Sequence, residues 1–220
     1  MSDLLEAVRS CPRRQIRGRF WHQGPTRWAL VGITDPATTD GRYHERAGPG
    51  VWYASSQEQA AWAELFRHFI DEGVDPFEVR RRVGPADVHD LNALDLTDPN
   101  VHQILGVKAD QLISYDLTLC HQIADAAHKA GFEGILAPAV ALPGRTPLVV
   151  FGTGLVKLHP GVSRIASPPP RLADLLRLIR PHADVPAGVR ALLVSLYRSD
   201  PPEATEHIDQ RPPSHNQRNS

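Results

Sequence analysis

Cysteine is scarce in this sequence: Cys11 and Cys120 are the only two among 220 residues. Two thiols cannot build a disulfide framework or a thiolate zinc site, and they fit a reduced compartment in which both stay unpaired. Charge of one sign is lacking too. With 24 Lys and Arg against 25 Asp and Glu, the formal net charge is -1. Nothing draws the chain as a whole to nucleic acid or an anionic membrane, so any anion binding must come from local arginines. No stretch approaches the roughly 18 uninterrupted apolar residues of a membrane span. The opening MSDLLEAVRSCPRR has no apolar run resembling a secretory leader, so the expected location is cytoplasmic. Catalytic signatures are missing as well: there is no GxSxG, no Walker loop and no HExxH. Gly152-Thr153-Gly154 lacks the third glycine and following helix of a dinucleotide fingerprint. His121 and His128 share a helix face two turns apart, but no carboxylate or cysteine stands in ligand spacing, so no metal is expected.

What is present is the composition of a globular chain, 41% hydrophobic and 22% charged, enough for one sizeable core. Leu4, Leu5 and Val8 share a face of a short helix that Pro12 ends. An apolar strand is predicted around Trp28 to Ile33. Residues 34–50, rich in Gly, Pro, Asp and Thr, read as a long loop of the kind that often carries function. Val51 to Ala54 reads as a strand. Ser55 and Glu58 stand in capping-box spacing and open a helix through Ile70, stopped at Gly73. Phe77, Val79, Arg81 and Val83 alternate, which predicts a strand with one basic position on its inner or ligand face, while water must receive some of Arg80 to Arg82. Asp98-Pro99 has the form of an N-cap followed by proline at the first helical position, opening a helix to about Leu105. A longer helix spans about Asp116 to Lys129, with Leu117, Cys120, Ile123, Ala124 and Ala127 on one stripe and Gly131 past its end. FEGILAPAV and PLVVFGTGLV read as adjacent strands about a proline-glycine turn.

Helices and strands therefore intermix without regular βαβ alternation, which predicts an α+β domain with a mixed, mainly antiparallel sheet and flanking helices. The expected organisation is a catalytic domain over residues 15–160, a helical extension over 161–200 and a disordered tail over 201–220. SPPPRL is the stiff linker into that extension. Its two short amphipathic helices, built on Leu172, Leu175, Leu176, Ile179 and on Val189, Leu192, Leu193, Leu196, suit core docking or homo-oligomerisation.

The stretch from Gly41 to Phe69, GRYHERAGPGVWYASSQEQAAWAELFRHF, concentrates the candidate chemistry. Arg42, Tyr53 and Glu64 follow one another at intervals of eleven residues. Arg42, and upstream Arg19, each follow a glycine that lets the backbone approach a ligand, and a guanidinium fork holds phosphate in a bidentate way. Tyr53 at a strand end serves either as a core ring or as a platform for a flat heterocycle. Glu64 is a carboxylate placed mid-helix among Ala61, Trp62 and Leu65. If the helix folds back over the strand, the axial offset between Tyr53 and Glu64 shrinks to roughly 7 Å.

These pieces resemble the RES-domain proteins, toxins of bacterial RES-Xre toxin–antitoxin pairs. The resemblance covers residues 15–157: GRF at Arg19, Gly41-Arg42, VWYASS at Tyr53, AELFRHF at Glu64, LNALDLTDP, HQIADAAHKAGFEGI and PLVVF, in that order. It implies an ADP-ribosyltransferase-like fold and consumption of NAD, releasing nicotinamide by phosphorolysis or hydrolysis, with NAD as substrate and inorganic phosphate as a co-substrate of the phosphorolytic route. Two alternatives stay open: transfer of ADP-ribose to a protein, and a catalytically inactive NAD-binding module. By the resemblance Arg19 and Arg42 hold the NAD phosphates, Tyr53 packs on the nicotinamide end and Glu64 serves the scissile N-glycosidic bond. The family's Pro-Ser pair after Gly-Ile is here Pro138-Ala139, so Ala139 stands at the cofactor without that hydroxyl. The implied partner is an antitoxin with an Xre-like DNA-binding domain; no direct nucleic-acid or membrane contact is implied.

Overall fold

Residue 13 begins a strand that never leaves the sheet's architecture, and the rest of the fold is arranged around its ladder. The computed structural model describes residues 2–33, 40–46, 48–71, 79–142 and 145–169, with side chains of the second helix described only as far as Leu65. Helix α1 spans Ser2–Ser10, and strand β1 follows over Arg13–Pro25. Then come β2 (Val51–Ser55), α2 (Glu58–Asp71), β3 (Arg81–Asp95), α3 (Pro99–Leu105), α4 (Ala109–Leu112) and α5 (Thr118–Lys129). The last elements are β4 (Gly134–Leu136), β5 (Pro147–Phe151), a 3-10 turn over Gly152–Lys157, β6 (Leu158–Pro160) and β7 (Arg164–Ala166).

The sheet closes on itself. Its path runs β1-β2-β5-β4-β3, and β3 pairs back to β1 over nearly its whole length, from Arg13 opposite Leu94 to Pro25 opposite Arg81. The other edge of β3 carries β7, β6 and β4 in turn. Only β3 with β4 is parallel, so the predicted mixed, mainly antiparallel α+β sheet is what forms, here curled into a barrel. Closure depends on a kink where β1 shifts register between Ile16 and Gly18. Gly18 (φ 131) and Asp90 (φ 54) take left-handed backbone there, one on each strand, and glycine supplies its half at no steric cost.

Strand alternation divides the apolar residues between two sides. Ile16, Phe20, Trp52, Ala54, Ala86, Val88, Leu136, Leu148 and Val150 fill the inside of the ring. Val51, Tyr53, Val149, Phe151 and Ile135 face outward and are covered by α1, α3 and α5 through Val8, Val101, Leu105, Ile123 and Ala127. A third cluster seats α2, by Ala60, Trp62, Ala63 and Leu65, over Trp21 and Val83.

Local chemistry explains the ends of the helices. Asp98 accepts from the Asn100 N–H at 2.8 Å with Pro99 at the first position, as predicted, and Gly106 closes α3 in left-handed backbone. Asp116 accepts from the Thr118 N–H at 3.0 Å, so α5 begins two residues later than predicted. Arg13 caps the other end of α5, donating to the carbonyls of Ala130 and Gly131 at 2.7 and 2.8 Å.

Several expectations are corrected. Residues 28–33 form no strand; Leu30 instead turns in and its carbonyl accepts from Trp52 Nε1 at 2.9 Å, closing one end of the barrel. The strand lies earlier, in the arginine-aromatic segment. Ser55 is the last residue of β2, opposite Pro147 and Trp21, not a helix cap. Accordingly Glu58 opens α2, and its carboxylate accepts from Trp62 Nε1 and Arg164. β3 begins at Arg81 and runs on through Gly84-Pro85 to Asp95; Phe77 lies outside the described residues. β5 ends at Phe151, because GTGLVK winds into the 3-10 turn. Beyond residue 160 the chain still adds β7 to β3, and the two predicted C-terminal helices and the tail lie outside the described residues.

Candidate active site

Arg42 sits in a tight turn, Gly41 to His44, closed by a bridge between its two end residues. Three neighbours clamp that turn. Tyr53 Oη accepts from the Tyr43 N–H at 3.0 Å and lies 2.9 Å from His44 Nδ1. His121 Nε2, on α5, donates to the Gly41 carbonyl at 2.8 Å. Arg42 Nη1 donates to the carbonyls of Leu112 (3.1 Å) and Ser114 (2.8 Å) and stands 4.0 Å from Cys120 Sγ. A Cβ on Gly41 would come within 2.4 Å of His44 and 2.9 Å of Tyr53 Oη. Gly41 is thus required by its own neighbours, and Gly18 by the kink of β1.

Burial pushes the Tyr53 phenol well above its usual range. The Tyr43 N–H and the Arg42 charge oppose that shift, while Cys120 and the Glu64 carboxylate add to it. The phenol is therefore neutral and serves as an acceptor and ring, not as a proton source. The same balance places Arg42 and Glu64 both within electrostatic reach of one ring. The structure brings these three predicted residues together.

Glu64 reaches across from α2 and accepts from the Ala141 N–H at 3.2 Å. That contact tethers the 137–142 segment, whose other end is held by the Ala137 N–H on the Pro147 carbonyl at 2.9 Å. Half-buried Ala139, the fourth predicted position, lies between the two tethers.

Arg19 is placed apart. It projects from the outside of β1 and grips Asp87 through Nε and Nη2 at 2.9 and 3.1 Å. Trp21 stands opposite Ser55, so Arg19 lies past the end of β2 while Tyr53 lies two residues within it.

Sequence reasoning missed the supports: Tyr43, His44 and His121. No periodicity marks them, though the two polar residues that follow Arg42 in GRYH were a signal. Tyr43 is buried at 2% exposure, its Oη makes no hydrogen bond among the described residues, and burial drives its phenol well up, with the Cys120 thiol adding to the shift. A surface hollow of about 230 Å³, lined by Asp110, Gln111, Ser114, Asp116 and Leu119, shares Ser114 with the anchorage of Arg42. Its acidic lining does not suit a phosphate. Cys11 and Cys120 are free and buried. Among the described residues no group of three or more His, Cys, Asp and Glu could hold a metal ion, and no helix is long and apolar enough to cross a membrane.

Fold and topology define a class: a mixed α+β barrel, its sheet closed by the pairing of β1 with β3 and flanked by helices. The chain belongs to the RES domain family, whose model matches residues 11–172. It is 54% identical over 196 residues to the probable NAD(+) phosphorylase Rv3189 of Mycobacterium tuberculosis (strain ATCC 25618 / H37Rv), spanning 89% of this chain and 94% of that relative. Its fold is similar to that in the crystal structure of the M. tuberculosis MbcT-MbcA toxin-antitoxin complex, with a TM-score of 0.69 and 21% identity over 80% of this chain and 98% of that one.

Proposed function

We propose that this protein is an NAD-degrading toxin that cleaves the nicotinamide N-glycosidic bond of NAD, with inorganic phosphate as the acceptor. The observation that carries the reading is that Arg42 and Glu64 both act electrostatically on the Tyr53 phenol in a RES-family chain 54% identical to a probable NAD(+) phosphorylase. Breaking the bond leaves positive charge at the anomeric carbon, and the Glu64 carboxylate stabilises it or holds the adjacent ribose hydroxyl. The C–N bonding electrons leave with nicotinamide, which departs neutral, so no general acid is needed. A phosphate oxygen then bonds to the anomeric carbon, giving ADP-ribose 1″-phosphate; water in its place gives ADP-ribose.

Arg42 takes a phosphate of the dinucleotide, because its backbone anchors are neutral carbonyls that orient the cation without cancelling it. Tyr53 packs at the nicotinamide end and holds the Arg42 turn. Ala139 contributes backbone where the family serine would contribute a hydroxyl. Arg19 acts as a second phosphate contact by exchanging Asp87 for the ligand; the exposed pair, 57% and 40% accessible, is worth no more than about 1 kcal/mol and so can be displaced. The partner is an antitoxin, by likeness to a chain solved in a toxin–antitoxin complex, and an Xre-like DNA-binding domain on it follows from the family resemblance.

The test is to incubate the purified protein with NAD, with and without phosphate, and to follow nicotinamide and the sugar product. Phosphate-dependent release of nicotinamide with ADP-ribose 1″-phosphate is expected. No release under either condition overturns the reading, and labelled ADP-ribose left on a macromolecule replaces it with protein modification.

A further inference from the structure

Arg81 combines partial burial with a neutral partner that engages only one of its three guanidinium nitrogens among the described residues. It opens β3 and donates through Nε to Gln23 Oε1 at 2.9 Å. Among the described residues its two terminal nitrogens make no hydrogen bond, and no carboxylate pairs with it. Its neighbours differ: Arg82 is bound to the Thr26 carbonyl and Ser163 Oγ, and Arg80 is exposed.

The register shows where Arg81 points. Trp21 pairs with Ser55, so these two and the residues two along, Gln23 and Tyr53, share the outer face of the sheet. Gln23 carries Arg81 with it onto that face. Proximity has an independent sign on the opposite face: the His22 ring, which hydrogen-bonds the Tyr53 carbonyl, is depressed to about 4, chiefly by burial and further by the Arg81 charge. Burial alone also lowers Arg81 itself, as expected of a cation taken from water without an anion to meet it.

We propose that Arg81 is an anion ligand on this outer face of the sheet, its free guanidinium edge taking a phosphate group beside Tyr53. A half-buried guanidinium steadied by an amide carbonyl presents a fork suited to a phosphoryl oxygen pair. The phosphate comes either from the diphosphate of the dinucleotide or from the inorganic co-substrate, and this choice rests on the NAD reading; the anion site itself does not.

The experiment compares the full-length protein with Arg81→Gln and Arg81→Lys, using Arg17→Gln as a surface control. The KM for NAD at saturating phosphate and the KM for phosphate at saturating NAD are measured for each. Arg81→Gln should raise one of the two by roughly ten- to a hundredfold with kcat little changed, Arg81→Lys should raise it less, and Arg17→Gln should raise neither. The constant that moves identifies the source of the phosphate. In parallel, calorimetric titration with inorganic pyrophosphate reads the anion site without turnover. If the wild-type protein leaves NAD intact yet binds pyrophosphate through Arg81, the proposed function fails and the anion site stands. Both KM values within twofold of wild type, or equal pyrophosphate binding by Arg81→Gln, overturn the inference. Should Arg81→Gln not fold, Arg81→Lys decides on the same measurements.

Discussion

Arg14, Arg17 and Arg19 on β1 face Asp95, Asp90 and Asp87 on β3, whereas Arg42 rests on the carbonyls of Leu112 and Ser114. All four guanidiniums have hydrogen-bond partners, but only the first three are electrically answered. A carboxylate cancels the charge it orients; a carbonyl dipole orients the charge and leaves most of it to act on whatever comes next. Arg14 and Arg17 therefore read as stitching between two strands, Arg19 as a stitch that a ligand can displace, and the loop arginine as a charge held ready for an anion.

The comparison breaks or sharpens through graded substitutions. The largest effect should come from the candidate catalytic carboxylate: Glu64→Gln should lower NAD cleavage by about 10²- to 10³-fold, read as nicotinamide release, while NAD still binds. Undiminished turnover would remove Glu64 from the chemistry. Next, Arg42→Ala should raise the KM for NAD by roughly ten- to a hundredfold, and Arg17→Ala should leave it unchanged. Equal effects at the two positions would erase the distinction between them.

Tyr53→Phe removes the acceptor of the Tyr43 N–H and the partner of His44, which should cost about 1–3 kcal/mol in chemical denaturation and loosen the Arg42 turn. Arg19→Ala should cost no more than about 1 kcal/mol of stability, and its effect on the KM for NAD should fall well below that of Arg42→Ala. Smallest of all is the acid response of the ladder. The hydrogen bond from Arg19 holds the Asp87 carboxyl below its usual range, so this stabilisation is complete above the unfolded value near pH 4 and fades as pH falls through the folded one. Asp87→Asn should flatten that part of a melting-temperature profile, and an unchanged profile would show the pair to be inert.

How far the sequence reveals all this depends on the range of each interaction. Asp98-Pro99 and Gly131 predicted helix ends because capping is settled within a few residues. β1 stayed hidden because the kink at Gly18 spaces its inward residues, Ile16 and Phe20, four apart instead of two, and its arginines look like a basic patch until β3 supplies their acids. Ser55 carried a correct local signal for a cap, but pairing with β5 claimed it for the sheet. In the site, Arg42, Tyr53 and Glu64 were legible as residue types at suggestive spacing. Their supports were not: His121 stands 80 positions from the carbonyl it holds, and no local pattern records such a contact.

Closure of the ring has a mechanical consequence. β2 is joined to β5 by five opposed pairs but to β1 by one, Trp21 with Ser55. A closed band resists peeling everywhere except at its shortest rung, so strain applied to this molecule has a designated tear point. That seam lies beside Tyr53 and at the root of the helix carrying Glu64. The cluster is thus built next to the one joint where the barrel can be unbuttoned, and a partner that braced or pried that joint would set the reach of Glu64 without touching it.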